Sequence, residues 1–171
     1  LVINLTRRNN MQEYNMQDYL VDVYTFNELS GQHNKVDKKA FEQQLKLIFE
    51  EAEEIQDALE GNDTTEVLDG VADLLYVTLG MLQKLQTLGC NTMKALEQVA
   101  TENDTKFPYN RTLAEDTVEF YKAQGVETII EYNETLDRYA IKDTNNKVRK
   151  PINFTRTDLS KHVGQQIKEI K

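Results

Sequence analysis

The chain has 171 residues, enough for one folded unit with a sizeable core and too few for two full domains. Its 7 Gly and 2 Pro are too few for a many-turned β-sandwich or a low-complexity chain, so long helices are expected. One Cys excludes an internal disulfide, and with two His it cannot supply the four soft ligands of a structural zinc site, so any metal must be held by oxygen. The net charge of −9 has the wrong sign for a protein that coats nucleic acid.

No segment of the sequence predicts export or a membrane span. The apolar run within residues 1–8 is far too short for a signal peptide. The longest apolar stretch, residues 71–82, contains Asp73 and falls short of the roughly 20 residues that a membrane span requires. We therefore expect a soluble protein in the cytoplasm.

Two helices are predicted in the first third of the chain, over residues 16–29 and 41–59. In the second of them, apolar residues recur in steps of three and four, which predicts one buried stripe; it consists of Phe41, Leu45, Ile48, Ala52, Ile55 and Leu59. A neighbouring line that contains Glu51 and Glu54 also carries an apolar Leu and a small Ala, so it is expected to border the core. The other acids of this helix are expected to face water; they are Glu50, Glu53, Asp57 and Glu60.

A third helix is predicted after a turn at residues 61–63. Asp63 and Glu66 have the spacing of a capping box, and Gly89 is the expected stop just after the helix. Apolar residues cover most of the circumference, which is typical of a helix buried among others. One polar strip remains, and it contains Glu66, Asp73 and Lys84.

The rest of the chain predicts two more helices and a small β structure. The helices cover residues 91–103 and 112–124, the latter opened by Thr112 with Glu115 and closed by Gly125. Residues 126–132 and 138–142, with a short segment at 144–148, predict a β-hairpin or meander. We therefore expect a helical domain over residues 1–125 and a β-hairpin with a basic extension over residues 126–171.

The negative charge is concentrated in one stretch. Between Lys46 and Lys84 there is no basic residue and there are ten acids: Glu50, Glu51, Glu53, Glu54, Asp57, Glu60, Asp63, Glu66, Asp69 and Asp73. If the two helices face each other, Glu51, Glu54 and Asp73 could share hard divalent cations, with Asp69 as a further candidate ligand. Mg²⁺ is the expected ion and Mn²⁺ is possible. The alternative is that these acids only solvate two helix surfaces.

The two acidic helices resemble the all-α, MazG-type nucleoside triphosphate pyrophosphohydrolases. Residues 47–55 and 69–80 carry the resemblance. The family pattern is Glu-x-x-Glu on one helix and Glu-x-x-Asp, or a similar acidic pair, on the next. Glu51 and Glu54 match the first pair, and Asp73 matches the final Asp. Gly70 stands where the pattern has Glu, and Asp69 is the candidate replacement.

The resemblance implies roles for further residues. Glu50 matches an extra acid often found before the first ligand, and is a candidate for the base that activates water or for another metal ligand. Asn103 and Lys106 match the family's Asn-x-x-Lys stretch, whose amide and ammonium groups approach the nucleotide phosphates. A polar cluster after the first helix could hydrogen-bond a base, or could be an ordinary polar loop; it comprises Asn27, Gln32, His33 and Asn34.

The function implied by the resemblance is Mg²⁺-dependent hydrolysis of a (deoxy)nucleoside triphosphate to the monophosphate and pyrophosphate. Relatives form dimers or tetramers, so a homodimer or homotetramer is expected, without nucleic-acid or membrane partners. Two alternatives stay open. The chain could be a non-catalytic helical oligomerisation module, or a metal-dependent phosphohydrolase that releases orthophosphate.

Overall fold

The computed structural model describes residues 14–168, so the predictions for the N-terminal apolar run lie outside the described residues. In chain order the elements are α1 (Met16–Leu29), α2 (Lys38–Glu60), α3 (Thr64–Thr87), α4 (Thr92–Asp104), α5 (Arg111–Ala123), β1 (Thr128–Asn133), β2 (Arg138–Asp143) and a 3₁₀ turn (Ser160–His162). The predicted fold class, all-α with a small C-terminal hairpin, is confirmed.

None of the described helices is both long enough and apolar enough to cross a lipid bilayer.

The chain divides into two compact units. Among the described residues, the first comprises 14–90 together with 164–168, and the second comprises 91–163. The predicted domain boundary at residue 125 falls between α5 and β1, inside the second unit. Residues 164–168 join the first unit through backbone hydrogen bonds, since Gln165 N donates to Leu88 O and Lys38 N donates to Lys168 O.

The helices of the first unit begin at polar side chains that satisfy the free N–H groups of the first turn. Asn15 opens α1 with a complete capping box, in which Asp18 accepts a hydrogen bond from the Asn15 backbone in return. Asp37 opens α2. Asp63 opens α3 as predicted, and its carboxylate accepts from the backbone N–H groups of the second and third helical residues.

The packing of α2 against α3 depends on two glycines of α3. A Cβ atom at position 70 would lie 2.7 Å from Cγ1 of Ile55, and one at position 80 would lie 3.0 Å from Nε2 of Gln44. Gln44 is buried and donates from Nε2 to Val77 O at 2.8 Å. The helix α1 joins this pair through Tyr19, whose hydroxyl donates to Ala72 O at 2.7 Å. The absence of side chains at the two glycines therefore sets how closely the helices approach.

The predicted apolar stripe of α2 is wrong in part. Phe41 is buried as expected, but Leu45 and Leu59 are exposed, the latter to 60%, whereas Gln44 and Ala58 on the neighbouring line are buried. Gly80 of α3 receives Gln44 of that neighbouring line, and Gly70 receives Ile55 of the predicted stripe. The face of α2 that meets α3 therefore lies between the two lines, and the stripe faces water at Leu45 and Leu59.

The apolar circumference of α3 is not fully covered within the single chain. Leu68 is 70% exposed and Val71 is 50% exposed. Within the first unit only α1 and α2 pack on α3, and two neighbours cannot cover its whole circumference.

In the second unit, α5 packs on both strands of the hairpin, and Ile141 of β2 is fully buried. The strands are antiparallel, with Thr128 paired to Asp143 at one end and Asn133 to Arg138 at the other. The predicted opening of α5 at Thr112 is wrong, because Asn110 is the cap and accepts from the Thr112 N–H at 2.8 Å. Asn is a stronger helix cap than Thr, and it lies two residues earlier.

The close approach at Gly70 predicts the effect of a single methyl group. Gly70→Ala is expected to lower the free energy of unfolding by about 1–2 kcal/mol, because overpacking against Ile55 exceeds the roughly 1 kcal/mol that Ala gains over Gly in a helix. Chemical denaturation measures this. The same change made in an Ile55→Ala background is expected to be neutral or stabilising, and stabilisation by Gly70→Ala in the wild-type background would contradict the packing.

Candidate acidic site and adjoining cavity

Glu51 is the centre of the acidic cluster. It is half-buried on the face of α2 that packs on α3. Burial raises the pKa of its carboxyl group, and the negative charges of Glu54, Asp73, Glu50 and Asp69 raise it further, in that order. The structure therefore brings the other four predicted acids close enough to Glu51 to act on its charge.

Gly70 explains the departure from the acidic pattern. A Cβ at this position would meet Ile55 at 2.7 Å and the Glu51 carbonyl oxygen at 3.8 Å, so position 70 lies in the contact between the helices. A glutamate does not fit there unless the Ile55 side chain moves. Asp69 and Asp73 lie on either side of this contact, and both are exposed.

The expectation that the line of Glu51 and Glu54 borders the core agrees with the half-buried Glu51 but is wrong for Glu54 in the single chain. Glu54, Asp69 and Asp73 are all exposed to solvent, because three helices leave the edge between α2 and α3 open. Within residues 14–168, no group of three or more His, Cys, Asp or Glu side chains is arranged so that it could hold a metal ion. The metal-ligand roles of Glu51, Glu54, Asp73 and Asp69 therefore stay predictions.

A cavity of about 480 Å³ adjoins the acids within the first unit. Side chains from α1, α2, α3 and the loop after α1 line it, and they include two aromatic rings, Phe26 and Tyr76. Glu50 was expected to face water, but it is only half-exposed and is part of this lining, where it pairs with Lys46 at 3.0 Å. The candidate base thus lies between the cavity and the acidic cluster.

Carboxamide groups gather at the inner wall of the cavity. A Cβ at Gly80 would lie 3.0 Å from Nε2 of Gln44 and 3.4 Å from Nδ2 of Asn27, so the missing side chain makes room for both amides. Gln32 also lines the cavity, and His33 and Asn34 do not. Of the predicted polar cluster, Asn27 and Gln32 therefore line the cavity, and His33 and Asn34 lie outside its lining.

Lys84 is a cavity residue to which the sequence assigned no role. It is only 3% exposed, and its Nζ donates to the carbonyl oxygens of Gln32 at 3.1 Å and Lys35 at 3.3 Å. Burial lowers the pKa of this ammonium group, nearby Lys35 lowers it further, and Asp37 opposes the shift. The sequence does contain a signal for this position, because Lys84 lies one turn after Gly80 on the polar strip of α3, and this strip faces α2.

Asn103 and Lys106 lie at the end of α4, in the second unit. Lys106 Nζ donates to Asn103 Oδ1 at 2.6 Å, so the two side chains form one exposed pair. Their role in binding the phosphates of a nucleotide stays a prediction.

Residues 25–103 match the family model described as Phosphoribosyl-ATP pyrophosphohydrolase. The match includes α2, α3 and their acids, and it ends at Asn103, before Lys106. The comparisons with curated proteins and with solved structures found no match.

This family hydrolyses a phosphoanhydride bond of a nucleotide and typically depends on a divalent metal. Its matched residues are those that carry the two facing acidic helices. Over residues 25–103, a little less than half of the chain, the sequence is therefore similar to a family of the all-α, MazG-like superfamily of nucleotide pyrophosphohydrolases.

Proposed function

We propose that this chain is a Mg²⁺-dependent hydrolase that converts a (deoxy)nucleoside triphosphate to the monophosphate and pyrophosphate. The observation that carries the proposal is the position of Glu51, which is half-buried among four other acids beside a cavity lined by amides and aromatic rings. The family match supports the reaction class.

The donor set fits a hard divalent cation. All five acids offer oxygen, the ligand type that Mg²⁺ and Mn²⁺ prefer, and no basic group is among the charges that act on Glu51. We assign Glu51, Glu54 and Asp73 as ligands and Asp69 as the fourth. The last three are exposed, so their side chains can change rotamer when a cation binds.

A bound cation supplies positive charge that withdraws electron density from the phosphate oxygens. Glu50 then has the role of general base, since it lies beside Glu51 and faces the cavity. It takes a proton from water as the water oxygen bonds to the α-phosphorus. The bond from that phosphorus to the bridging oxygen breaks, and pyrophosphate leaves with the electron pair.

The cavity is the proposed place of the nucleobase. Asn27 and Gln44 present amide groups, which can hydrogen-bond the edge of a base, and Phe26 and Tyr76 offer rings for stacking. Lys84 holds the loop that supplies Gln32 to this wall. The polar cluster therefore has a proposed role in base binding through Asn27 and Gln32.

Asn103 and Lys106 are proposed to bind phosphate oxygens of the nucleotide. Both are donors with access to solvent, and an ammonium group is a common partner for phosphate. Their mutual hydrogen bond keeps the two donors together.

A homo-oligomer, dimer or tetramer, is proposed from the exposed apolar residues of α2 and α3. Leu59, Leu68 and Val71 are each at least half exposed, and a second copy would remove them from water. A solution mass equal to one chain would contradict this proposal.

Removal of the Glu51 charge is expected to stabilise the protein without metal. A carboxyl pKa raised by folding means that stability is present below the ordinary Glu pKa and is lost as pH rises through the raised value. Glu51→Gln is therefore expected to raise Tm at pH 7 by about 2 °C and to flatten the fall of stability above pH 4.5. Mg²⁺ should raise the Tm of the wild type and have little effect on the variant.

Glu53→Gln is the matched control, because Glu53 is exposed on the same helix and is not among the charges that act on Glu51. Equal Tm changes in the two variants would contradict the repulsion of Glu51 by the neighbouring acids.

Catalysis is tested with a panel of canonical and modified (d)NTPs, and with phosphoribosyl-ATP, in the presence and absence of Mg²⁺. Asp73→Ala and Glu54→Ala are expected to reduce kcat/KM by about 100-fold or more, since each removes a cation ligand. Lys106→Met is expected to raise KM by about tenfold.

The product separates the alternatives. Pyrophosphate supports the proposal, and orthophosphate identifies the other phosphohydrolase class. No turnover, together with no Mg²⁺-dependent change in Tm, identifies a non-catalytic helical module.

Base recognition is tested by Asn27→Ala and Gln44→Ala. Each is expected to raise KM for the preferred nucleotide by roughly 10-fold and to reduce its preference over other bases, because each removes amide hydrogen bonds. Gln56→Ala is the control, since its amide is exposed on α2 and donates to Glu60. Unchanged ratios of kcat/KM across the panel would place the base elsewhere.

A further inference from the structure

The two edges of the β-hairpin differ in how their backbone groups are satisfied. The outer edge of β2 is covered by the chain itself: Tyr139 N donates to Pro108 O at 2.9 Å, Arg149 N donates to Ile141 O at 2.7 Å, and Asp143 N donates to Lys147 O at 3.0 Å. Three successive outward-facing residues of β2 therefore have partners.

The outer edge of β1 has no such cover. Antiparallel pairs alternate between residues that bond to each other and residues whose N–H and C=O groups point away. The backbone N–H and C=O groups of Tyr139, Ile141 and Asp143 point away from β1. The backbone groups of their register partners, which are Tyr132, Ile130 and Thr128, therefore point away from β2. Within residues 14–168, the backbone groups of these three residues make no hydrogen bond to other backbone outside the hairpin.

This edge also lacks basic residues, proline and a bulge, which are among the features that prevent strand addition. The sequence of β1 contains no Lys, Arg or Pro, and its register with β2 has no bulge. Its one charged residue, Glu131, is neutralised by an ion pair with Lys142 on the neighbouring strand. Ile129 is 57% exposed and Tyr132 is 48% exposed. The strand is thus a six-residue template whose single charge is paired within the hairpin.

We propose that β1 pairs in antiparallel fashion with β1 of a second copy of this chain, about a two-fold axis at Ile130. The product is a four-stranded sheet in the order β2, β1, β1, β2. This interface lies in the second unit and does not depend on the proposed enzymatic function.

The sequence of β1 is self-complementary in this register. Ile130 lies opposite Ile130 of the other copy, and Thr128 lies opposite Tyr132, so all outward N–H groups meet outward C=O groups in about six hydrogen bonds. Glu131 lies opposite Ile129, so no like charges meet. A two-fold axis uses one strand sequence for both sides, which is why a second copy fits better than an unrelated peptide.

The test compares variants at the two-fold axis. Ile130→Pro removes the central N–H donor from the edge, where proline is otherwise tolerated, and Ile130→Val retains it. By sedimentation, Ile130→Pro is expected to halve the mass of the particle, and Ile130→Val is expected to leave it unchanged. Leu68→Glu places a charge on the exposed face of α3. Comparison with this variant distinguishes association through the helices from association through β1.

Cross-linking tests the register without reliance on the proline variant. In a Cys90→Ser background, Ile130→Cys places two thiols opposite each other, and oxidation is expected to give a covalent dimer, also with Leu68→Glu present. Ile129→Cys is the control, because its two copies would be offset by two residues and lie beyond disulfide reach. A failure of Ile130→Cys to cross-link, or equal cross-linking by Ile129→Cys, would overturn the proposal, as would a wild-type particle of one chain.

Discussion

The first unit depends on the close approach of α2 and α3 at two residues without side chains. The missing side chain of Gly70 leaves space for Ile55, and the missing side chain of Gly80 leaves space for the amides of Gln44 and Asn27. The first approach brings Glu51 toward the acids of α3, and the second forms the inner wall of the cavity. The same packing constraint therefore produces the electrostatic cluster and the candidate base pocket, about two to three helical turns apart.

The acidic cluster has a cost that the fold does not offset. Glu51 is held among like charges while burial also disfavours its ionised form. Two nearby lysines do not neutralise Glu51: Lys46 pairs with Glu50, and Lys84 is buried against loop carbonyls. Unneutralised charge of this kind is typical of sites arranged for a cationic ligand rather than for stability.

Much of the fold was predictable because the signals were local. The helix bounds follow from apolar periodicity, from polar caps such as Asp63 and from glycines with positive φ such as Gly89 and Gly125. Which face of α2 meets α3 was not predictable, because it depends on glycines of the other helix that receive Gln44 and Ile55. For the same reason the sequence predicts that Glu50 faces water and gives no role to Lys84, although both line the cavity. The acids were identified by their spacing and by the absence of any base between Lys46 and Lys84.

The contact at Gly70 also constrains how this sequence can vary. A carboxylate at that position, as in the usual family pattern, requires space that Cγ1 of Ile55 now occupies. Positions 55 and 70 are therefore expected to change together in related chains, with a small residue at one wherever a larger one stands at the other.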